Sequence, residues 1–327
     1  MPPGPKQVTA PPSAEGQRVH WTAVPQRVRA AIERELGSPV VSAVTQRGGF
    51  SPGLAARLTL QDGRRRFVKA TGPELNPDSP DIHRREIRIS SALPATAPVS
   101  RLIGSCDEGP GGWVALIFED IEGRQPRLPW ISAELDRVLT GLSQLAYTLT
   151  PSPLSAGVAR DASQLFAERI CGWQILAAAP PPHGLDHWAV ANLDRLARIE
   201  AHAPEAVAGD SLNHFDVRAD NVLLTPDHVY FVDWPHAATG APWVDLVGFA
   251  PSVAMQGGPG PEALVARHPA AKAANADALT AAIVAIAGYF VRQSLQPAPP
   301  GLPTVRAFQA AQGEVACRWV AARTGWA

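Results

Sequence analysis

Cysteine, net charge and long apolar runs are all scarce in this sequence, and each shortage excludes a class of protein. The three cysteines among 327 residues are widely spaced and odd in number, which excludes a disulfide framework and a zinc-binding pattern. A net charge of -1 excludes the broad basic surface that nucleic-acid binding needs. No apolar run is long enough to cross a bilayer, and the first residues lack the apolar core of a signal peptide. We therefore expect a cytoplasmic protein with neither nucleic acid nor a membrane as its partner.

The length and composition indicate a globular chain of two unequal lobes. Hydrophobic residues make up 46% and charged residues 18%, both near the averages of folded proteins. A chain of 327 residues exceeds what one hydrophobic core usually organises. Residues 1–18 are rich in Pro, Gly, Ser and Gln and are expected to be disordered. The change of pattern near residue 121 predicts an N-terminal lobe over 19–121 and a C-terminal lobe over 122–327.

Hydrophobic periodicity differs between the two lobes. Short β-type runs between residues 40 and 121 are separated by glycine-rich turns, with helical periodicity at 24–36 and 81–93. The C-terminal lobe is helical apart from residues 213–233, where two short runs flank a Pro-Asp turn and predict a hairpin. Its predicted helices span residues 132–150, 161–178, 186–200, 243–254, 275–294 and 304–323. The fold class is therefore α+β.

The segment NHFDVRADNVLL carries the most informative motif. His214, Asp216 and Asn221 follow the order H-x-D-x-x-x-x-N, and Asp233 comes later in YFVDW. Each of these residues alone is as readily a turn former or a helix cap, but the combination is rare by chance. It resembles the catalytic loop of protein kinases, and more closely that of the aminoglycoside phosphotransferase family and related antibiotic or metabolite kinases. Phe215 stands where that family usually has Gly.

The resemblance implies a protein-kinase-like fold and a role for each residue of the motif. A small N-terminal lobe with an antiparallel sheet and a helix would bind the nucleotide, and a larger, mostly helical lobe would bind the acceptor. Asp216 would orient the acceptor hydroxyl and accept its proton, and Arg218 would reach the γ-phosphate. Asn221 and Asp233 would hold Mg²⁺ through hard oxygen ligands.

Two further residues of this region are assigned to structure by the same resemblance. Asp245, in WVDLVGF, resembles the family's acid that accepts hydrogen bonds from the loop backbone, and His214 would hold the same backbone. Only eleven residues separate Asp233 from Asp245, too few for the activation segment with which a protein kinase docks a peptide. A compact acceptor is therefore expected.

Upstream residues match the nucleotide side of the same fold in the expected order. Gly49 and Ser51, in RGGFSPG, would approach the phosphates through the backbone, although this segment is equally typical of a hairpin turn. Lys69, in FVKA, would contact the α and β phosphates and pair with Glu86 on the following helix. A solvated strand lysine and a surface ion pair along the helix are the alternatives.

The segment IFEDI resembles the hinge between the two lobes. Glu119 and Ile121 would bind a purine base there through their backbone N–H and C=O groups. Side chains in this segment do not distinguish adenine from guanine. The expected cofactors are therefore ATP, or GTP in its place, together with Mg²⁺.

The C-terminal segment restricts the acceptor. After Asp245 only three acidic residues remain, against six Lys and Arg residues. Polycationic aminoglycosides need carboxylates around them, so a neutral or weakly charged sugar, nucleoside or other antibiotic hydroxyl fits better. The aromatic residues that could wall the acceptor pocket are Tyr289, Phe290, Phe308, Trp319 and Trp326.

These features predict a small-molecule kinase, a monomer or homodimer, that phosphorylates a hydroxyl of an antibiotic-like, sugar or nucleoside acceptor. Antibiotic resistance is one role that such an activity would have. The first alternative is a housekeeping kinase of the choline or fructosamine type. The second is a pseudokinase that binds nucleotide and regulates a partner, which the presence of Lys69, Asp216, Asn221 and Asp233 disfavours.

Overall fold

Five antiparallel strands form the sheet of the N-terminal lobe in a computed structural model, which describes residues 12–326. The strands are β1 (Val40–Thr45), β2 (Leu54–Leu60), β3 (Arg65–Thr71), β4 (Leu102–Asp107) and β5 (Val114–Glu119). They lie in the order β1-β2-β3-β5-β4. Alternate residues of β5 belong to different apolar clusters and are all buried except Glu119. Both faces of the sheet are therefore covered.

Two helices cover these faces. α1 (Gln26–Leu36) buries Val28, Ile32 and Leu36 against the cluster that contains Ala115 and Ile117 of β5. It ends at Gly37, whose φ of 66° is the left-handed conformation that glycine adopts freely, as the sequence predicted. α2 (Ser79–Ser90) contacts β3, β4 and β5. Both helices expected in this lobe are therefore present.

Helices form most of the C-terminal lobe. The two longest helices, at the end of the chain, pack side by side. Within residues 12–326 no helix is both long and apolar enough to cross a membrane. The helices are α3 (Ser132–Thr148), α4 (Ala162–Glu168), α5 (Gly172–Ala177), α6 (His187–Glu200), α7 (Ala203–Ala206), α8 (Val244–Met255), α9 (Pro261–Val265), α10 (Pro269–Ala273), α11 (Ala276–Ser294) and α12 (Val305–Thr324).

Besides the short helices α7, α9 and α10, which the sequence did not predict, two features of the C-terminal lobe differ from the sequence prediction. The single helix expected over 161–178 is broken into α4 and α5, and the break exposes backbone N–H groups at the start of α5 to a buried carboxylate described below. A three-stranded sheet was missed because its strands, β6 (Arg160–Asp161), β7 (Ser211–Asn213) and β10 (Ala238–Gly240), are too short for periodicity to show.

The hairpin expected within residues 213–233 is present. β8 (Val222–Leu224) pairs with β9 (Val229–Phe231) in antiparallel register, Val222 facing Phe231. The N–H of Phe231 also donates to Pro98 O at 2.9 Å, and Ile89 of α2 belongs to the apolar core of the C-terminal lobe. These contacts hold α2 and the hairpin together, which brings the two halves of the predicted site to one place.

The N-terminal segment differs from the disordered tail expected over residues 1–18. Glu15 and Arg18 form backbone bridges with Gly49 and Gly53 of the glycine-rich segment. Gln17 accepts a hydrogen bond from the N–H of Gly53 at 3.0 Å. Backbone contacts to the glycine-rich segment therefore order this part of the expected tail. The rest of the expected tail, residues 1–11, lies outside the described residues.

A buried carboxylate fixes the start of α5. Glu200, at the end of α6, is 1% exposed and accepts the N–H groups of Trp173 at 3.2 Å and Gln174 at 2.7 Å. A Cβ at Gly288 of α11 would lie 2.6 Å from Glu200 Oε1, so only glycine fits there without a shift. Burial raises the pKa of Glu200 to about 7, although the N–H donors oppose this rise.

The raised pKa of Glu200 predicts a specific dependence of stability on pH. A carboxyl whose pKa is higher in the folded state contributes stability that is present below pH 4.5 and is lost as the pH rises through about 7. Glu200→Gln removes this titration. We therefore expect the wild type to lose roughly 2 kcal/mol more unfolding free energy than the variant between acidic and alkaline pH. Urea unfolding at pH 5 and pH 8 measures this, with the exposed Glu205→Gln as control. An equal change of unfolding free energy between pH 5 and pH 8 in the wild type and in Glu200→Gln would contradict this prediction.

Candidate active site

Two neighbouring cavities contain all ten residues that the sequence assigns to chemistry or cofactor binding. The first, of about 390 Å³, lies between the lobes. Its lining includes Gly49, Ser51, Lys69, Glu86, Glu119, Ile121, Asn221 and Asp233. The second, of about 580 Å³, includes Asp216 and Arg218. A hydrogen bond from Asn221 Nδ2 to Asp216 Oδ2 at 3.1 Å joins the two groups of residues.

A shared ammonium group connects the two lobes at the first cavity. Lys69 Nζ donates to Glu86 Oε1 at 2.8 Å and Oε2 at 3.0 Å, and to Asp233 Oδ1 at 2.7 Å. The side chain of Lys69 is 12% exposed, which contradicts the alternative of a solvated strand lysine. The surface pair proposed as the alternative for Glu86 is wrong for the same reason, since Glu86 is 1% exposed.

Electrostatics separate the two carboxylates of this network. Burial raises the pKa of Asp233, but the charge of Lys69 more than offsets it and holds the pKa below its usual range. Burial raises the pKa of Glu86, against the opposing attraction of Lys69. Burial alone lowers the pKa of Lys69, but the two carboxylates raise it above its ordinary value. Lys69 is therefore charged, and Asp233 is the carboxylate that remains anionic most strongly.

One carboxylate holds the backbone at the start of the loop from His214 to Asn221. Asp245, at the start of α8, accepts the N–H groups of His214 and Phe215, each at 2.7 Å. His214 Nε2 lies 2.9 Å from Val232 O, and the N–H of Asp216 lies 3.2 Å from His214 Nδ1. The tautomer with its proton on Nε2 satisfies both contacts. His214 and Asp245 thus make the backbone hydrogen bonds that the sequence assigned to them.

Two residues of this site have strained backbones. Among the non-glycine residues of 12–326, only Phe215 and Asp233 have positive φ, at 65° and 73°. A bulky side chain in this conformation costs about 1–2 kcal/mol. The loop keeps the backbone shape that glycine would allow, although Phe215 replaces it, because Asp245 holds its N–H and its ring packs against Phe166 at 6.3 Å. The strain is therefore paired with a specific hydrogen bond and a ring contact.

Arg218 lies in the second cavity and is paired with two carboxylates. It forms ion pairs with Asp216 and with Asp220, the latter at 3.0 Å. Its guanidinium lies 5.2 Å from the ring centroid of Phe50, at the tip of the glycine-rich segment. Sequence reasoning missed Asp220 because its spacing from Arg218 is not a recognised motif. Arg218 is therefore a fixed part of the loop that orients Asp216.

Arg18 is a second residue that sequence reasoning missed, because it lies in the segment expected to be disordered. Its guanidinium donates to the carbonyl oxygens of Gly48 and Ser51 and lines the first cavity. Burial lowers the pKa of Arg18, while Asp233 and Asp220 oppose this. Arg18 therefore holds the glycine-rich segment over the cavity and adds positive charge there.

The hinge segment presents backbone groups to the first cavity. The N–H of Ile121 has no hydrogen-bond partner among residues 12–326 and is free to bind a ligand. Among the residues that the structure describes, the carbonyl of Glu119 accepts a hydrogen bond from the hydroxyl of Ser100 at 2.8 Å, which leaves the second lone pair of this oxygen for a ligand. Arg57 donates to the carbonyl of Ile121 at 2.9 Å and pairs with the buried Asp120 at 3.1 Å. This ion pair, absent from the sequence prediction, fixes the hinge.

The oxygen atoms next to Lys69 suit a hard divalent cation. Asn221 donates through Nδ2, which leaves Oδ1 unbonded, and Asp233 uses only Oδ1 for Lys69. No group of three or more His, Cys, Asp or Glu residues within 12–326 can hold a metal by itself. One amide and one carboxylate suit Mg²⁺ that keeps waters and binds together with phosphate oxygens. The two residues predicted as metal ligands therefore fit that group.

The aromatic residues of the C-terminal segment divide into two sets. Tyr289, Phe290 and Phe308 line the second cavity, as the sequence suggested. Trp319 is buried and donates to Glu262 at 2.7 Å, and Trp326 lies beside Arg195. The two tryptophans are therefore part of the helix packing and not of the cavity wall.

Comparison with known proteins agrees with this geometry. Residues 48–282 match the model of the phosphotransferase enzyme family, which is more than half of the chain. The chain belongs to this family. The match covers Lys69, the catalytic loop and Asp245, so it confirms the resemblance read from the motif. No curated protein matches the chain in sequence.

Solved structures share the fold of this phosphotransferase at low sequence identity. Aminoglycoside phosphotransferase APH(4)-Ia with ADP and hygromycin B is 15% identical, with a TM-score of 0.57 over 91% of this chain and 99% of that one. Choline kinase LicA from Streptococcus pneumoniae is 16% identical, with a TM-score of 0.58 over 89% and 98%. Spectinomycin phosphotransferase APH(9)-Ia is 12% identical, with a TM-score of 0.54 over 89% and 97%. These likenesses confirm the predicted two-lobed, protein-kinase-like α+β fold.

The two hydrogen bonds that Asp245 accepts from the loop backbone predict that Asp245→Asn lowers the free energy of unfolding. In Asp245→Asn one of the two buried N–H groups would face an amide NH₂ and lose its acceptor. An unsatisfied buried donor costs about 1–3 kcal/mol, so we expect a loss of about 2 kcal/mol of unfolding free energy. Urea unfolding at pH 7 measures it, with the exposed Asp210→Asn as control. Equal urea midpoints for Asp245→Asn and Asp210→Asn would show that the hydrogen bonds of Asp245 do not stabilise the loop.

Proposed function

We propose that this phosphotransferase is a small-molecule kinase that transfers the γ-phosphoryl group of ATP, or of GTP, to a hydroxyl. One observation carries the proposal. Asp216, Asn221 and Asp233 meet at the junction of two cavities, beside the buried Lys69. Phosphoryl transfer needs in-line placement and charge neutralisation more than a covalent catalyst, and this arrangement provides both.

The residues on the nucleotide side have distinct roles in this proposal. The N–H of Ile121 and the carbonyl of Glu119 bind the base, and Lys69 contacts the phosphates from a position fixed by Glu86. The backbone around Gly49 and Ser51 covers the phosphates. At Gly49 a φ of 79° favours glycine, and an added Cβ would lie 3.0 Å from Arg18 Nη2.

Asn221 and Asp233 are the residues that would hold Mg²⁺, which would neutralise phosphate charge when bound with the nucleotide. Asp216 orients the acceptor hydroxyl and takes its proton as the new P–O bond forms, while the bond from the γ-phosphorus to the bridging oxygen breaks and the nucleoside diphosphate leaves. Arg218 and Asn221 fix the carboxylate of Asp216 from two sides, so it does not rotate away from the acceptor. Arg218 also supplies positive charge near the transferred group.

The similar structures support a nucleotide and a small acceptor, because they are complexes that contain ADP, AMP-PNP, AMP, hygromycin B or spectinomycin. An antibiotic acceptor, and hence a role in resistance, is supported by these names. The choline kinase among them supports the metabolic alternative, but choline is a cation and the second cavity contains several arginines. A cytoplasmic location and a monomer or homodimer complete the proposal.

Two aspartates separate catalysis from nucleotide binding. Asp216→Ala should lower turnover by about 10²–10⁴-fold and leave nucleotide affinity nearly unchanged, because it removes the acceptor's base but keeps Lys69 and Asp233 on the nucleotide side. Asp233→Ala should weaken binding of Mg²⁺-AMP-PNP. The readouts are phosphate transfer to a panel of antibiotics and alcohols, followed by mass spectrometry, and calorimetry with the nucleotide. Asp227→Ala, in the exposed β8–β9 turn, is the control. Wild-type turnover in Asp216→Ala would refute the assigned role.

Arg18 predicts a contribution of the N-terminal segment to nucleotide binding. Arg18→Ala removes the donors that hold Gly48 O and Ser51 O, so the covering segment loses its support. We expect affinity for Mg²⁺-AMP-PNP to fall about tenfold, equivalent to about 1.4 kcal/mol. Calorimetry measures it, and Arg34→Ala, on the exposed side of α1, is the matched control. Equal affinities of the two variants would rule out this role.

A further inference from the structure

The second cavity carries more positive charge than its acidic residues balance. Arg160, Arg169 and Arg292 line it together with the paired Arg218. None of the first three takes part in an ion pair within residues 12–326. Three guanidinium groups of this cavity are therefore available to a ligand.

The acidic residues of the same cavity are engaged elsewhere. Asp216 is held in the ion pair of the catalytic loop, and Asp245 accepts the two loop N–H groups. Glu168 is exposed and accepts a hydrogen bond from Gln164 at 2.9 Å. It attracts Arg160 only at longer range. The excess of positive charge is therefore a property of the cavity itself.

Arg160 and Arg169 lie close enough to repel each other, and both also repel Arg85 of the N-terminal lobe. Burial lowers the pKa of Arg160, and the charge of Arg169 lowers it further. Arg85 of α2 is half-buried, and burial, then Arg160 and Arg169, lower its pKa in turn. Such a cluster costs free energy by itself. A bound oxyanion would offset that cost through charge-assisted, bidentate hydrogen bonds, which guanidinium groups form well.

The remaining wall of the cavity is aromatic. Phe215, Tyr289, Phe290 and Phe308 line it together with Asp216. Planar apolar faces around one carboxylate favour a ring compound whose hydroxyl points towards Asp216. Burial raises the pKa of Tyr289, and Asp216 adds to the rise, so the phenol stays protonated and can donate a hydrogen bond.

We propose that the acceptor is a ring compound that carries an oxyanion, either a carboxylate or a phosphate ester, besides its reacting hydroxyl. Arg160 and Arg169 bind the oxyanion while the aromatic wall holds the ring and Asp216 faces the hydroxyl. This inference rests on the proposed kinase function, because it takes the second cavity as the acceptor site. The same charge excess works against polycationic acceptors.

Binding of small fragments tests the proposal without a known substrate. Thermal shift is measured with benzoate, phenyl phosphate, benzyl alcohol and benzylamine, each in the presence of Mg²⁺-ADP. The wild type, Arg169→Gln and Arg160→Gln/Arg169→Gln are compared with Arg198→Gln, an exposed arginine of α6 outside the cavity. The change from Arg to Gln keeps a polar side chain and removes both the charge and the bidentate guanidinium donors that the proposal invokes.

We expect the anions, but neither the alcohol nor the amine, to raise the melting temperature of the wild type and of Arg198→Gln. Benzoate against phenyl phosphate distinguishes a carboxylate from a phosphate ester. The shift of the melting temperature with the anions should be smaller in Arg169→Gln and absent in the double variant. Arg169 is exposed, so the single variant should fold normally. The proposal would be overturned if benzylamine raised the melting temperature as much as the anions do, or if neither anion raised it. It would also be overturned if the shifts with the anions were the same in Arg169→Gln and in the double variant as in the wild type. A missing shift with Mg²⁺-ADP alone would instead count against the kinase function.

Discussion

The position of one ammonium group sets the geometry of the whole site. Lys69 comes from β3, Glu86 from α2 and Asp233 from the segment after β9, so one largely buried cation connects a strand and a helix of the N-terminal lobe to the C-terminal lobe. Removing these charges from water costs several kcal/mol for each ion, which only close contact among all three offsets. The two lobes are therefore held in the relative position that places Lys69 next to Asp233, while the hydrogen bond from the N–H of Val232 to Asn221 O at 2.9 Å keeps Asp233 close to Asn221 within the C-terminal lobe.

The residues that could be predicted from the sequence are those whose geometry is local. His214, Asp216 and Asn221 lie on one loop, so their order along the chain fixes their spacing in space. The family resemblance implied the pair of Lys69 and Glu86, and it is consistent with a strand and a following helix that pack together. The five strands of the N-terminal lobe, its two helices and most helices of the second lobe are predictable from periodicity, because each has a local pattern.

The residues that could not be predicted depend on contacts between distant segments. Arg18 reaches the glycine-rich segment from a stretch without periodicity, and Arg57 reaches Asp120 from another strand. The three-stranded sheet joins strands of two or three residues, which carry no pattern of their own. The ion pairs of Arg218 also depend on the folded loop, because spacing alone does not show which carboxylate a side chain meets.

Phe215 connects the shape of the second cavity to the backbone energy of the loop that carries Asp216. Its ring contributes to the cavity wall, while its left-handed backbone lies directly before Asp216. Any replacement that reshapes this wall also changes the strain in the loop that carries Asp216. The shape of the second cavity and the backbone of this loop cannot therefore evolve independently at this position. A drift towards glycine would relax the loop and widen the cavity in a single step.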